Sequence, residues 1–272
     1  MYNDKNTRKN RKEGEQNNKV RIYDSHAHLN DPQFKKDLEE VLFRAKQNGV
    51  ERIFIPGYDI KSSSRAVELA NSLNFKASAG VHPHDAKDFN SETLKKLEQL
   101  VSSPHITAIG EIGLDFYKMY SPKEAQIRVF RSQLEIAVKF RLPVILHVRD
   151  AFEDVFRILS EYNNELPGGI FHCFSGGPDE AEEVLKFKNF YISFAGSITY
   201  RNSKAKRAIN TVPLDRMLVE TDSPYLTPSK VKGRNEPAYI VYTLKVISKI
   251  LNIPLQIVAE KTYNNAVKIL EF

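Results

Sequence analysis

The sequence predicts an α/β fold, a closed (β/α)8 TIM-type barrel, on three observations. Eight short apolar runs alternate with amphipathic stretches of helical period. The 272 residues suit one such barrel, which takes roughly 250. No Pro/Ser-rich linker and no internal repeat divides the chain. The expected organisation is therefore a polar, disordered tail over residues 1–20 and one barrel domain over 21–272.

The eight runs are RIYDSHAHL (21–29), VERIFIPGY (50–58), FKASAGVHP (75–83), ITAIGEIGL (106–114), PVILHVRD (143–150), GGIFHCFSG (168–176), FYISFAGSI (190–198) and RMLVETDSPYL (216–226). Between them lie helix patterns. Phe34, Leu38, Val41, Leu42 and Ala45 recur at helical spacing, with Gly49 as a stop. Ser121-Pro122-Lys123-Glu124 reads as a capping box with proline at the first helical position, followed by the apolar stripe Ile127, Phe130, Leu134, Ala137. Ile240, Leu244, Ile247 and Leu251 mark a late helix. A last one runs from about Pro254, with Leu255, Val258 and Ala259 on one face. Strands that alternate with helices pair in parallel, because each crossover returns the chain to the same end of the sheet. An open doubly wound sheet is the competing architecture, but the chain has neither a dinucleotide fingerprint nor a P-loop.

Composition narrows the setting. The single cysteine, Cys173, forbids an intramolecular disulfide, and its alternation away from His172 reads as a small core residue. No apolar run reaches the ~20 residues of a membrane span. The first residues are charged where a secretory signal needs an apolar centre. The expected location is cytoplasmic, or nuclear in a eukaryote, with no membrane partner. Net charge is +6, half of it in residues 1–20, so the body is only mildly basic. That charge is compatible with a nucleic-acid partner without requiring one.

Six residues carry the chemistry. His26 and His28 flank one alanine on the first run, and strand side chains alternate, so both imidazoles face one way. Glu111 falls in the fourth run, His147 in the fifth, His172 in the sixth and Asp222 in the eighth, each toward its C-terminal end. That end is where barrel active sites are built. Buried carboxylates are costly unless paired or metal-bound. Six donors exceed one tetrahedral site and suit two divalent ions, Mg, Mn or Zn, a few ångströms apart. Glu111 is the expected bridge, with His26, His28 and Asp222 on one ion and His147 and His172 on the other.

DSHAHL, GVHPH, GEIGLDFY, HVRDA, FHCFSG, ETDSPYL and GRNEP, in that order, closely resemble the TatD family of metal-dependent deoxyribonucleases, within the amidohydrolase-like barrels. The resemblance covers nearly everything from Arg21 to Phe272. It implies the barrel, DNA as substrate, a metal-dependent 3′→5′ exonuclease activity, magnesium as a competent ion, and the ligand roles of the same six residues. Many amidohydrolase-like barrels bridge their metals with a carboxylated lysine. Glu111 stands at that fourth-strand place here, which favours the TatD branch.

Two adjacent cations suit phosphodiester cleavage by activating water and stabilising the attacking and leaving oxygens. Asp222 is read either as the group that orients that water and takes its proton or as a plain ligand, with Glu111 as its catalytic partner. His82 and His84, just past the third run, are candidate substrate contacts, with loop packing around Pro83 as the alternative. Arg149 shares the direction of His147 and suits a phosphate oxygen, unless it pairs with Asp150. Arg234, in the loop after the eighth run, is a further phosphate candidate or a solvated charge. Glu220 and Asp115 are expected to orient ligands. Tyr117 and Tyr225 offer faces for base stacking. The expected partner is DNA, single-stranded or at 3′ ends. Two rivals remain: a metal-dependent hydrolase of a small ester, amide or phosphoester, and a non-catalytic nucleic-acid binder using the tail.

Overall fold

The computed structural model describes residues 20–162 and 164–271. Apart from Val20, the expected disordered tail lies outside the described residues. Val20 itself packs against the core.

Each apolar run supplies one strand: β1 Ile22–Asp24, β2 Val50–Ile55, β3 Lys76–Ala79, β4 Ile106–Asp115, β5 Val144–Arg149, β6 Gly169–Phe171, β7 Phe190–Phe194 and β8 Met217–Val219. They form one sheet in the order β1 to β8, and every neighbouring pair is parallel. At the seam the Ser25 amide donates to Val219 O at 3.1 Å, bringing β8 back to β1 in a nearly closed TIM-type barrel. Several strands are shorter than their runs, because the C-terminal residues of those runs leave the ladder and fold over the mouth.

The helices are α1 Leu38–Gln47, α2 Ile60–Leu73, α3 Ser91–Val101, α4 Lys123–Phe140, α5 Phe152–Glu161, α6 Pro178–Lys186, α7 Ala205–Ala208, α8 Ile240–Leu251 and α9 Leu255–Leu270. The first predicted helix is split. Phe34 belongs to a separate 3-10 turn, Pro32–Phe34, capped by the Asp31 side chain, and the α-helix starts at Leu38. Gly49 ends it at φ +86, where a Cβ would lie 2.3 Å from Val20 O.

The capping box expected at Ser121 is absent. Pro122 is the N-cap and no side chain caps the helix. Ser121 Oγ instead donates to His84 O at 2.7 Å and accepts from the Lys87 amide at 3.0 Å. A loop-to-loop bond next to the site took the hydroxyl that local spacing had assigned to the helix end.

Two apolar layers hold the fold. One lies between the strands and their helices. The other fills the barrel's lower interior with Tyr23, Phe54, Ala108, Ile145, Ile170, Tyr191 and Leu218, and α9 closes it from below with Tyr263, Ala266, Ile269 and Leu270. Filling the barrel from its N-terminal end leaves polar side chains to gather at the other end. Among the described residues no single helix is long and apolar enough to cross a membrane.

Candidate metal centre

All six predicted ligands meet at the C-terminal mouth. Glu111 and His147 stand on β4 and β5 as expected. His26 and His28 do not lie on a strand. They sit in the loop after β1, and their shared direction comes from backbone bonds to the opposite loop: the Asp222 amide donates to His26 O (2.9 Å) and the His28 amide to Ser223 O (2.8 Å). Their Nε2 atoms are 3.2 Å apart. His172 follows β6 and stacks on His26, ring centroids 4.0 Å apart. Asp222 follows β8 at φ +54.

Glu111 stands between two groups of donors. Its Oε1 lies 2.8 Å from His172 Nε2, 2.9 Å from His147 Nδ1 and 3.3 Å from His82 Nε2. Its Oε2 faces His26 Nε2 at 3.5 Å and His28 Nε2 at 3.7 Å. Asp222 Oδ1 completes the second group, 3.4 Å from His28 and 3.8 Å from His26. Gly113 makes this approach possible. At φ +135 its missing Cβ would lie 2.1 Å from His147 O, so only glycine lets β4 run this close to β5 beside both ligands.

The electrostatics follow from crowding acids and imidazoles in a buried space. Burial opposes charge on Glu111, but His172 and His82 outweigh it and hold the carboxyl well below its usual range. Burial likewise opposes charge on His172, and Glu111 and Glu220 more than offset it, holding the imidazole well above its usual value. His82, buried and beside His147, is pushed down to about 4 and is neutral at neutral pH. Glu220, fully buried, accepts from the Cys173 amide at 2.6 Å and lies 3.4 Å from His172 Nδ1. Asp115, the last residue of β4, places Oδ2 2.8 Å from His84 Nε2 and 3.2 Å from His147 Nε2, while Oδ1 accepts the Tyr117 and Lys118 amides.

A cavity of about 760 Å³ opens above these groups. It is lined by His82, His84 and Arg149 as predicted for substrate contacts, and also by Tyr58, Tyr120 and Lys118, which sequence reasoning passed over. Tyr120 and Lys118 directly follow GLDFY in the loop after β4. A barrel-top position was their only signal. Arg149 makes no ion pair with Asp150. Its guanidinium lies over the Tyr117 ring, 4.7 Å from the centroid.

Two expectations fail. Arg234 does not reach the cavity: its guanidinium binds both Asp37 carboxylate oxygens, at 3.0 and 2.6 Å, and covers the Phe34 ring at 4.4 Å. It ties the loop after β8 to the start of α1. Cys173 is not a core residue. At φ +42 in the turn after β6 it lines the cavity, with burial pushing its thiol well above the usual value.

The donor set fits divalent cations. Among the described residues four triads, His26–His28–Glu111, His26–His172–Asp222, Glu111–His147–His172 and His82–His84–His147, each bring ligand atoms within 4.8 Å of one another. Side chains this rich in lone pairs, buried and converging, can hold a cation among them.

Barrel and mouth together have the form of a metal-dependent hydrolase, and the relatives below make it one acting on ester bonds. The family described as TatD related DNase matches residues 23–271, and the chain belongs to that family. It is 44% identical over 248 residues to the "uncharacterized metal-dependent hydrolase YabD" of Bacillus subtilis, covering 90% of this chain and 97% of the relative. It is 36% identical to a "3′-5′ ssDNA/RNA exonuclease TatD" of Pectobacterium carotovorum, covering 84% and 91%. The crystal structure of YJJV, a TatD homologue from Escherichia coli, superposes with a TM-score of 0.87 at 30% identity, covering 93% of this chain and 99% of that one.

Proposed function

We propose that this protein is a 3′→5′ exonuclease of single-stranded DNA that works with two divalent ions, Mg, Mn or Zn. The observation that carries the reading is the division of the Glu111 carboxylate, one oxygen toward His147 and His172 and the other toward His26 and His28. His26, His28 and Asp222 would hold one ion, His147 and His172 the other, with Glu111 common to both. When bound, such a pair supplies Lewis-acid stabilisation to both the attacking and the leaving oxygen of an in-line displacement.

The side chains around it do the rest. Asp222 Oδ1 is a buried acceptor whose ionised form is favoured by His28 against burial, so it suits a group that orients water and takes its proton. His82, neutral and buried, uses Nδ1 to accept the His84 amide and turns Nε2 to Glu111, while His84, held at Nε2 by Asp115, keeps Nδ1 for a phosphate. Arg149 and Lys118 add cationic donors at the rim. Tyr117, Tyr120 and Tyr225, 58, 57 and 46% exposed, leave ring faces at the mouth for unpaired bases. Apolar faces of that size held open to water favour a polymer of flat bases over a small ester.

The named relative with ssDNA/RNA exonuclease activity supports the same substrate. The test is a strand labelled at either end, incubated with Mg²⁺ or Mn²⁺, with and without EDTA, beside Asp222→Ala. Stepwise shortening from the 3′ end that needs metal and Asp222 is expected. A wild type that leaves every single strand intact overturns the reading.

A further inference from the structure

We propose that the loops following β7 and β8 form a basic ledge beside the mouth, a second binding surface for the phosphodiester backbone of a strand whose end lies in the cavity. This rests on the nuclease reading above. Residues 195–204, between β7 and α7, and 223–235, after β8, contain Arg201, Lys204, Lys230, Lys232 and Arg234 and not one Asp or Glu, with the ligand Asp222 and Glu236 flanking the second stretch. At the chain's average acid content, roughly three acids belong in a stretch of that combined length, and a solvated surface ordinarily mixes both signs.

Asp37 occupies Arg234. Arg201, Lys204, Lys230 and Lys232 are exposed, and among the described residues none lies within ion-pair distance of a carboxylate. Some surface cations elsewhere are paired, as Lys123 with Asp154, Arg131 with Glu161 and Lys139 with Glu98, but the ledge differs in holding its unpaired cations in stretches without an acid.

The two loops are bound into one body. The Ser229 amide donates to Thr199 Oγ1 at 2.9 Å, Ser229 Oγ to Thr199 O at 3.1 Å, and Tyr200 OH to Thr227 O at 2.9 Å. A Cβ on Gly196 would lie 2.6 Å from Leu226 O, so glycine lets the loops touch. Leu226 itself lines the cavity, which makes the ledge continuous with the mouth. Around the barrel the ledge lies over β7 and β8, and the tyrosine shelf with Lys118 and Arg149 lies over β4 and β5. A strand stacked on the shelf and crossing the metal centre runs onto the cations. Its occupant is therefore single-stranded polynucleotide, held by charge and without regard to sequence.

The experiment uses the full chain in EDTA and measures binding of labelled oligothymidine, about 30 or about 3 nucleotides long, by anisotropy across about 50 to 200 mM salt. The variant combines Arg201→Ala, Lys204→Ala, Lys230→Ala and Lys232→Ala. The control removes the same charge from other exposed positions: Lys46→Ala, Lys249→Ala, Lys261→Ala and Lys268→Ala. For the long strand, the ledge variant is expected to bind at least about tenfold more weakly and to lose about 3 from the slope of log affinity on log salt, since each single-strand phosphate contact contributes about 0.7. The control keeps wild-type affinity. The long-over-short preference falls only in the ledge variant. An unchanged slope, equal losses on both lengths, equal losses in the control, or a wild type that does not bind the long strand overturns the ledge. Binding lost in the ledge variant of a protein that cleaves no DNA keeps the ledge and overturns the nuclease reading instead.

Discussion

The Arg149 guanidinium lies 4.7 Å above the Tyr117 ring, and Tyr117 as a whole remains 58% exposed. An exposed tyrosine held flat by a cation is a prepared stacking surface, because the arrangement is fixed before a base arrives. Tyr117→Ala is expected to cost about 1–3 kcal/mol of strand binding, on the order of 5- to 150-fold in KM, with kcat less affected. Steady-state kinetics on single-stranded DNA checks this. Equal kcat/KM in the two proteins would remove the shelf from the account.

Glu111 divides its oxygens between the two donor groups. Glu111→Gln keeps the shape but replaces one oxygen with an amide nitrogen that cannot ligate. Metal content by elemental analysis is expected to fall below that of the wild type, and kcat by at least about a hundredfold. A variant that retains full metal content and activity contradicts the bridge.

Glu220 touches no predicted substrate contact. It supports the turn after β6 through the Cys173 amide and faces His172 Nδ1. Glu220→Gln is expected to weaken metal affinity about ten- to a hundredfold, the usual effect of losing a carboxylate behind a ligating imidazole. Competition with a chromophoric chelator measures it, and raised metal concentration should restore most of the rate.

Metal removal is expected to lower thermal stability, since ions that bind only the folded chain stabilise it by mass action. At a thousandfold excess over Kd the term is about 4 kcal/mol, or on the order of 10 °C in a protein of this size. Calorimetry with and without chelator tests it. The pH dependence has a definite sign. Without metal, burial pulls the His172 proton off, but Glu111 and Glu220 outweigh burial and hold it on above the usual histidine value. Loading must release that proton, so apparent metal affinity falls as pH falls. Affinity that stays flat from pH 8 to about 5 would contradict this.

Arg234 fastens the loop after β8 to Asp37 at the α1 start. Arg234→Ala is expected to give a small fall in melting temperature and an unchanged KM for short strands. Arg234→Lys should not restore the melting temperature, because lysine lacks the fork that holds both carboxylate oxygens and the plane that covers Phe34. A raised KM with no loss of stability would return Arg234 to the substrate.

Local pattern made the architecture legible. Val144–Arg149 reads as a strand because it is a short apolar run buried on both faces, and Lys123–Phe140 as a helix because it buries one periodic face, and such burial survives the rest of the fold. The residue types at the mouth were legible for the same reason: Glu111 and His147 stand on strands whose direction fixes where their side chains point. Beyond the strand ends that logic stops. His26 and His28 keep a common direction through bonds to Asp222 and Ser223, nearly two hundred residues away, which no local spacing encodes.

Sequence by itself therefore determined the strand order, the helices α1, α4, α8 and α9, the parallel barrel and the set of acids and imidazoles that crowd its mouth. Tertiary structure alone decided which oxygen of Glu111 faces which histidines, that Ser121 serves a loop rather than a helix, that Asp37 claims Arg234, and that Cys173 faces the cavity. The physical reason is range. Periodic burial acts within a few residues of chain. Hydrogen bonds and ion pairs among loops are settled between groups that only the closed barrel brings together.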